Sequence, residues 1–117
     1  MARFYLKYRD TRPTIEVALT DPDGTAHDLT GADSVTLHIW LRGSSSTVIS
    51  RTMTINADPA TGLVTYTWLA TDWDTGKLVL GTHRMEYEVK GPGTERLSFP
   101  NDTYDKLLIV TDLGQTV

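Results

Sequence analysis

"TDWDTGKLVLGTHRMEYEV", residues 71–89, contains the clearest structural signal in the chain. From His83 onward the apolar or ring-bearing residues His83, Met85, Tyr87 and Val89 alternate with Arg84, Glu86, Glu88 and Lys90. A period of two places one set on each face of a β-strand, with the apolar set toward a core. The first half of the stretch is an acidic loop in which Asp72 and Asp74 flank Trp73. That loop either holds a chemical site or turns the chain so that the strand can start.

The same alternation recurs on both sides. Phe4, Leu6 and Tyr8 alternate with Arg3, Tyr5 and Lys7, and Ile15, Val17 and Leu19 alternate with Thr14, Glu16 and Ala18. Val35, Leu37, Ile39 and Leu41 form the expected inward face of a third strand, with Thr36, His38 and Trp40 outward. Ile49, Met53 and Ile55 continue the pattern, interrupted by Arg51, a charge suited to an edge strand where it deters stray pairing. Val64, Tyr66 and Trp68 give a β-branched and aromatic strand with Trp68 in the core, and Leu97, Phe99 and "YDKLLIVTDL" complete the series. Turns fall at "DPDG" (21–24), "RGSSS" (42–46), "NADPATG" (56–62) and "GPGTE" (91–95), where Pro fixes φ and Gly accepts positive φ. No stretch shows helical spacing. About eight strands separated by turns predict an all-β fold, a two-sheet antiparallel β-sandwich forming a single domain over residues 1–117.

Composition narrows the function. A chain of 117 residues is one domain in size, and no run approaches the roughly 18 apolar residues of a membrane helix, so no membrane partner is expected. The opening MARFYLKYRD has no signal-peptide h-region. With no cysteine there are no disulfides, thiolate metal sites or Cys nucleophile. The net charge of −4 argues against nucleic acid as a partner. It is unevenly spread: residues 1–20 hold Arg3, Lys7, Arg9 and Arg12 against Asp10 and Glu16, a balance of +2 that leaves −6 on the remainder. Such a basic edge on an acidic body can dock head-to-tail on an acidic neighbour; the plainer reading is ordinary solvated charge.

Tests for chemistry find little. A nucleophilic Ser or Thr needs an oriented His, yet His27, His38 and His83 come with no GxSxG or comparable motif, and all three are expected to be hydrogen-bonded or exposed. Glu86 and Glu88 share a strand face, as a glycosidase pair would, but Arg84 and Lys90 flank them as in a solvent-facing salt-bridge ladder. Asp72 and Asp74, or Asp21 and Asp23, fall short of the six to eight oxygens that Ca²⁺ takes and are better read as turn formers. No catalytic residue, cofactor or metal is expected. Trp40 and Trp73 are candidate exposed aromatics, able to stack on a glycan or to anchor a partner protein. "NDT" at 101–103 matches a glycosylation sequon but reads as a turn.

The order of motifs adds to this. "VALTDPDGTAHDLTGADSVTLHIWLR", "ATGLVTYTW", "TDWDTGKLVLGTHRMEYEV" and "RLSFPNDTYDKLLIV" occur in a sequence that resembles the N-terminal immunoglobulin-like domain of phage baseplate upper proteins, and the short virion proteins related to it. The resemblance spans Asp21–Gly24, Asp28–Ala32, Gly62–Trp68, Asp74–Val89 and Phe99–Asn101, and departs from the family in the extra apolar "GKLVL" before the E-Y-x-V strand. It implies an immunoglobulin-like sandwich that is a non-enzymatic structural virion protein of a tailed bacteriophage, assembled in the host bacterial cytoplasm. Its implied partners are other tail, baseplate or neck proteins, in many copies on a symmetric assembly. A chain ending at Val117 lacks the helical and fibre-bearing region of those proteins, so a connector, neck, adaptor or capsid decoration role is expected, with a glycan-binding adhesion module as the alternative. The expected contact surface comprises Arg3, Lys7, Arg9 and Arg12 of the first strand and Asp72, Trp73 and Asp74 of the loop. On this reading Trp73 caps one end of the sandwich while Asp72 and Asp74 hold the turn.

Overall fold

The structure, a computed structural model, describes residues 3–12, 14–41, 47–74, 77–93, 95–100 and 105–110. These include nine strands: β1 (Arg3–Lys7), β2 (Ile15–Ala18), β3 (Ser34–Leu41), β4 (Thr47–Thr52), β5 (Thr54–Ile55), β6 (Leu63–Tyr66), β7 (Gly81–Lys90), β8 (Arg96–Phe99) and β9 (Asp105–Val110). The larger sheet runs β1-β9-β7-β3-β4, with β8 also on β7, and the smaller runs β2-β6-β5. β7 is long enough to take β9 along Gly81–Met85 and β8 along Tyr87–Lys90 on the same flank. β2, β6 and β5 stand where strands B, E and D of an immunoglobulin sandwich stand, and β3, β7 and β9 where C, F and G stand.

The expected two-sheet sandwich is therefore present, with three corrections. The larger sheet is mixed, because β1 pairs with β9 in parallel. The run 49–55 is two strands in two different sheets: Met53 still donates its N–H to the Val35 carbonyl of β3 (2.8 Å), and the chain then crosses from β4 to β5, where Thr54 and Ile55 pair with β6. Its side chain is buried, so this crossing residue also packs in the core. Leu41, expected inward, is 37% exposed, since it lies at the last residue of β3 beyond a register shift at Ile39/Trp40. The "RGSSS" and "NDT" segments fall wholly outside the described residues.

The core follows the alternation. Val35, Leu37 and Ile39 of β3 and Met85, Tyr87 and Val89 of β7 face Ile15, Val64, Tyr66 and Trp68 across the sandwich, all buried. Burying side chains of this size contributes roughly 1.5–3 kcal/mol each.

One turn sets how closely the β2–β3 connection approaches the start of β6. Asp58 accepts from the Ala60 N–H (3.3 Å) to start a short 3₁₀ turn over Pro59–Thr61, and Gly62 ends it with φ of 70°. The Gly62 carbonyl accepts from Leu19 N–H (2.9 Å), and the Pro59 carbonyl from Leu29 N–H (3.0 Å), tying the β2–β3 connection to this turn. A Cβ on Gly62 would sit 2.7 Å from the Leu19 carbonyl oxygen and 2.9 Å from that of His27. Both φ and the close approach require glycine here. Gly62→Ala is accordingly expected to lower unfolding free energy by about 2–4 kcal/mol in urea titration; a change under about 0.5 kcal/mol, typical of neutral surface sites, would show that the turn relaxes freely.

Candidate functional site

The loop that opens the 71–89 stretch is built around one buried carboxylate. Asp72 is 0% exposed. Its Oδ2 accepts from the Tyr66 hydroxyl (2.6 Å) and the Leu69 N–H (2.9 Å), while Oδ1 accepts from Nε and Nη2 of Arg51, each at 2.8 Å. Those four bonds close a short 3₁₀ helix, Ala70–Trp73, onto β6 and onto edge strand β4. Burial, with the carboxylate beside it, pushes the Tyr66 hydroxyl well above its ordinary range. Burial opposes the Arg51 charge, but the Asp72 carboxylate outweighs it and holds the guanidinium more firmly charged. Arg51 thus serves as the counter-ion of the loop, beyond the edge-guarding role its strand position predicts.

Trp73 is 4% exposed, a correction to its expectation as an exposed aromatic. Its indole N–H donates to the Asp10 carbonyl (3.1 Å), and its ring meets Tyr8 edge-on at 5.2 Å. It closes the end of the sandwich below β1, and with Asp72 it is removed from the expected contact surface by burial. Asp74 remains exposed, and its carbonyl accepts from Lys77 N–H (3.0 Å).

Arg3, Lys7, Arg9 and Arg12 are all exposed. β1 lies at the margin of its sheet, with no strand on its other side among the described residues. Arg3, Tyr5 and Lys7 point outward, Tyr5 at 58% exposure, while Leu6 is buried. The register aligns Trp40, Arg84, Lys106 and Arg3 in one row across the outer face of β3, β7, β9 and β1. Trp40 is half-buried there, its ring 6.0 Å from His38. A hollow of about 370 Å³ opens beside β1, lined by Tyr5, Leu6, Lys7, Asp10, Arg12 and Val110. A second, of about 470 Å³, lies between β2 and Phe99–Pro100. The Asp105 carboxylate at its margin already accepts from the Tyr87 hydroxyl (2.8 Å), whose burial pushes that hydroxyl strongly up.

The histidines divide three ways. His27 Nδ1 meets Asp21 Oδ1 at 2.7 Å and its ring packs on Phe99, which steadies the β2–β3 connection. His38 Nδ1 meets Ser50 Oγ at 2.8 Å and Nε2 meets Glu88 Oε1 at 3.4 Å, a Ser–His–Glu series across β4, β3 and β7 that the sequence does not reveal because its members lie 12 and 50 residues apart. An acyl-transfer site also needs oxyanion donors beside the nucleophile. The three side chains stand on the open outer face, with Ser50 exposed on edge strand β4. The same Glu88 approaches Arg96 of β8 (3.8 Å), so the acidic face is bridged across strands.

His83 corrects the expectation of a hydrogen-bonded or exposed ring: it is 0% exposed, and neither ring nitrogen has a partner within hydrogen-bond geometry. Burial holds it below the ordinary 6.5 and therefore neutral, only partly offset by backbone groups of Gly81 and Leu107. Unfolding frees the ring to take a proton below that value, so stability falls as pH drops from 6.5 toward the depressed folded-state value and is independent of this group above 6.5. Urea midpoints measured between pH 7.5 and 5.5 should therefore decline for the native chain and decline less for His83→Phe; parallel slopes would contradict a buried neutral ring. For the loop, Asp72→Ala leaves Tyr66, Arg51 and the Leu69 N–H without their acceptor. The expected loss is about 3 kcal/mol by chemical denaturation, and a loss under about 1 kcal/mol would mean that the network is replaced by solvent. Beside this geometry, no protein-family model matches the chain, and no curated protein matches it significantly.

Proposed function

We propose that the chain is a non-catalytic assembly module, a structural virion protein of a tailed phage that joins neighbouring proteins of the baseplate or neck. The observation that carries this reading is the exposed basic margin of the larger sheet: Arg3, Tyr5 and Lys7 on β1, with Lys106 alongside and Arg9 and Arg12 just beyond. A sheet margin offers unused backbone groups to an added strand, and aromatic and cationic side chains around it supply anchors and steering. The order of motifs along the chain supports the phage assignment, and the immunoglobulin strand arrangement agrees with it. The polar groups that chemistry would call on, Asp72, Asp105 and His27, are engaged in holding the fold.

Light scattering or mass photometry on the purified protein, alone and mixed with the tail and neck proteins encoded beside it, tests the proposal. Entry into a larger complex with one of them, lost on Arg3→Glu/Lys7→Glu, supports it. Indifference to all of them overturns it and directs attention to glycans, with Trp40→Ala as the control for stacking on the outer sheet face.

A further inference from the structure

β2 separates two features of opposite character. Before it, the hollow beside β1 has an apolar floor from Tyr5, Leu6 and Val110 and a rim of Lys7, Arg12 and Asp10. After it, a tight hairpin projects at Asp21–Gly24: Thr20 and Ala26 form a bridge, Asp21 N–H donates to the Thr25 carbonyl (2.8 Å), and Gly24 N–H donates to the Asp21 carbonyl (2.8 Å). Pro22 and Asp23 at its tip are exposed. The Asp23 carboxylate accepts from the N–H (3.0 Å) and hydroxyl (2.7 Å) of Thr25, which fixes its direction and holds it below the ordinary carboxylate range, hence charged. Between Arg12 and Pro22 lies β2, so hollow and tip flank opposite ends of that strand.

We propose that the acidic, proline-bearing tip of one copy seats in the cation-rimmed hollow of a second copy, giving a head-to-tail contact between identical chains. The complementarity is specific in three ways. An exposed proline beside the Asp23 carboxylate meets an exposed tyrosine in a hollow shared with Lys7 and Arg12. The tip is rigid before contact, held by its bridge and by the Asp21–His27 pair (2.7 Å), so little ordering is lost. Like surfaces repel: hollow against hollow opposes Lys7 and Arg12 to themselves, and tip against tip opposes carboxylates. Asp10 on the rim counts against an acidic guest, leaving the hollow with two cations to one anion, and Arg9, stacked over Tyr8 at 5.4 Å, adds a third cation nearby. The hollow also falls within the roughly 300–1,000 Å³ of clefts that bind small ligands. A contact that uses different surfaces on its two partners propagates, closing into a ring or extending as a filament according to the angle between copies.

The inference rests on the assembly reading above but fails separately from it. Three forms of the whole chain are compared by sedimentation equilibrium at low salt: the native chain, Lys7→Glu/Arg12→Glu with a dead hollow, and Pro22→Gly/Asp23→Lys with a dead tip. All the changed side chains are exposed, and thermal melts confirm that each variant folds. The native chain is expected to associate, at least about tenfold more weakly when salt rises from about 50 to 500 mM. Each variant alone is expected to remain monomeric, while an equimolar mixture of the two forms a one-to-one dimer and nothing larger, because one intact hollow and one intact tip remain. A native chain monomeric at low salt, or a variant that associates like the native chain, overturns head-to-tail seating. If that monomer still joins a neighbouring tail protein, the assembly reading stands without it.

Discussion

β7 carries the hydrogen bonds of three neighbours at once: β3 along His83–Lys90 on one flank, and β9 followed by β8 on the other. That load requires ten residues of unbroken extended chain with a strict alternation, because one slip would turn His83, Met85, Tyr87 and Val89 out to solvent and Arg84, Glu86 and Glu88 into the core. Burying the charges unpaired would cost far more than the apolar contacts return. The register of the larger sheet is thereby set, and with it the outer row of Trp40, Arg84, Lys106 and Arg3. Tyr87 is further pinned by the Asp105 carboxylate, which brings the start of β9 onto the same strand that β8 uses.

How far the sequence discloses this architecture depends on the range of the interaction. Alternation is local, and it correctly turns His83, an ionisable residue, into the core, because its neighbours two, four and six places on are Met85, Tyr87 and Val89. Turn chemistry is local as well, and "DPDG" and "NADPATG" fold as their Gly and Pro positions require. The crossing after Met53 is not readable in the same way: a methionine at an inward position looks the same whether its strand continues or changes sheets, and what decides is the pairing of Thr54 and Ile55 with Thr65 and Val64 of β6. Neither is the parallel pairing of β1 with β9, whose partners lie 103 places apart, as Arg3 and Lys106 do.

The candidate surface divides along similar lines. Exposure of Arg3, Lys7, Arg9 and Arg12 follows from strand parity and charge, and the structure agrees with it. Asp72 and Trp73 look like surface residues because they sit in an acidic loop between strands. Their burial depends on Arg51 and Tyr66 for the carboxylate and on Tyr8 and Asp10 for the indole, partners 6 to 65 places away. A sequence window registers an aspartate there without its counter-ion. The cross-strand series Ser50–His38–Glu88 is hidden for the same reason, since it exists only once β4, β3 and β7 are in register.

The parallel alignment of β1 with β9 has a mechanical side. Arg3 lies beside Lys106 and Lys7 beside Val110, so the chain enters this pair at one end and leaves it at the other. Tension applied between the start of β1 and the end of β9 would pull the two strands past each other along their length, loading their ladder bonds together. An antiparallel terminal pair pulled from adjacent ends would instead open one bond at a time, like a zipper. The five-residue pairing therefore places the joint between first and last strands in shear, the direction in which a short β-ladder resists force most strongly.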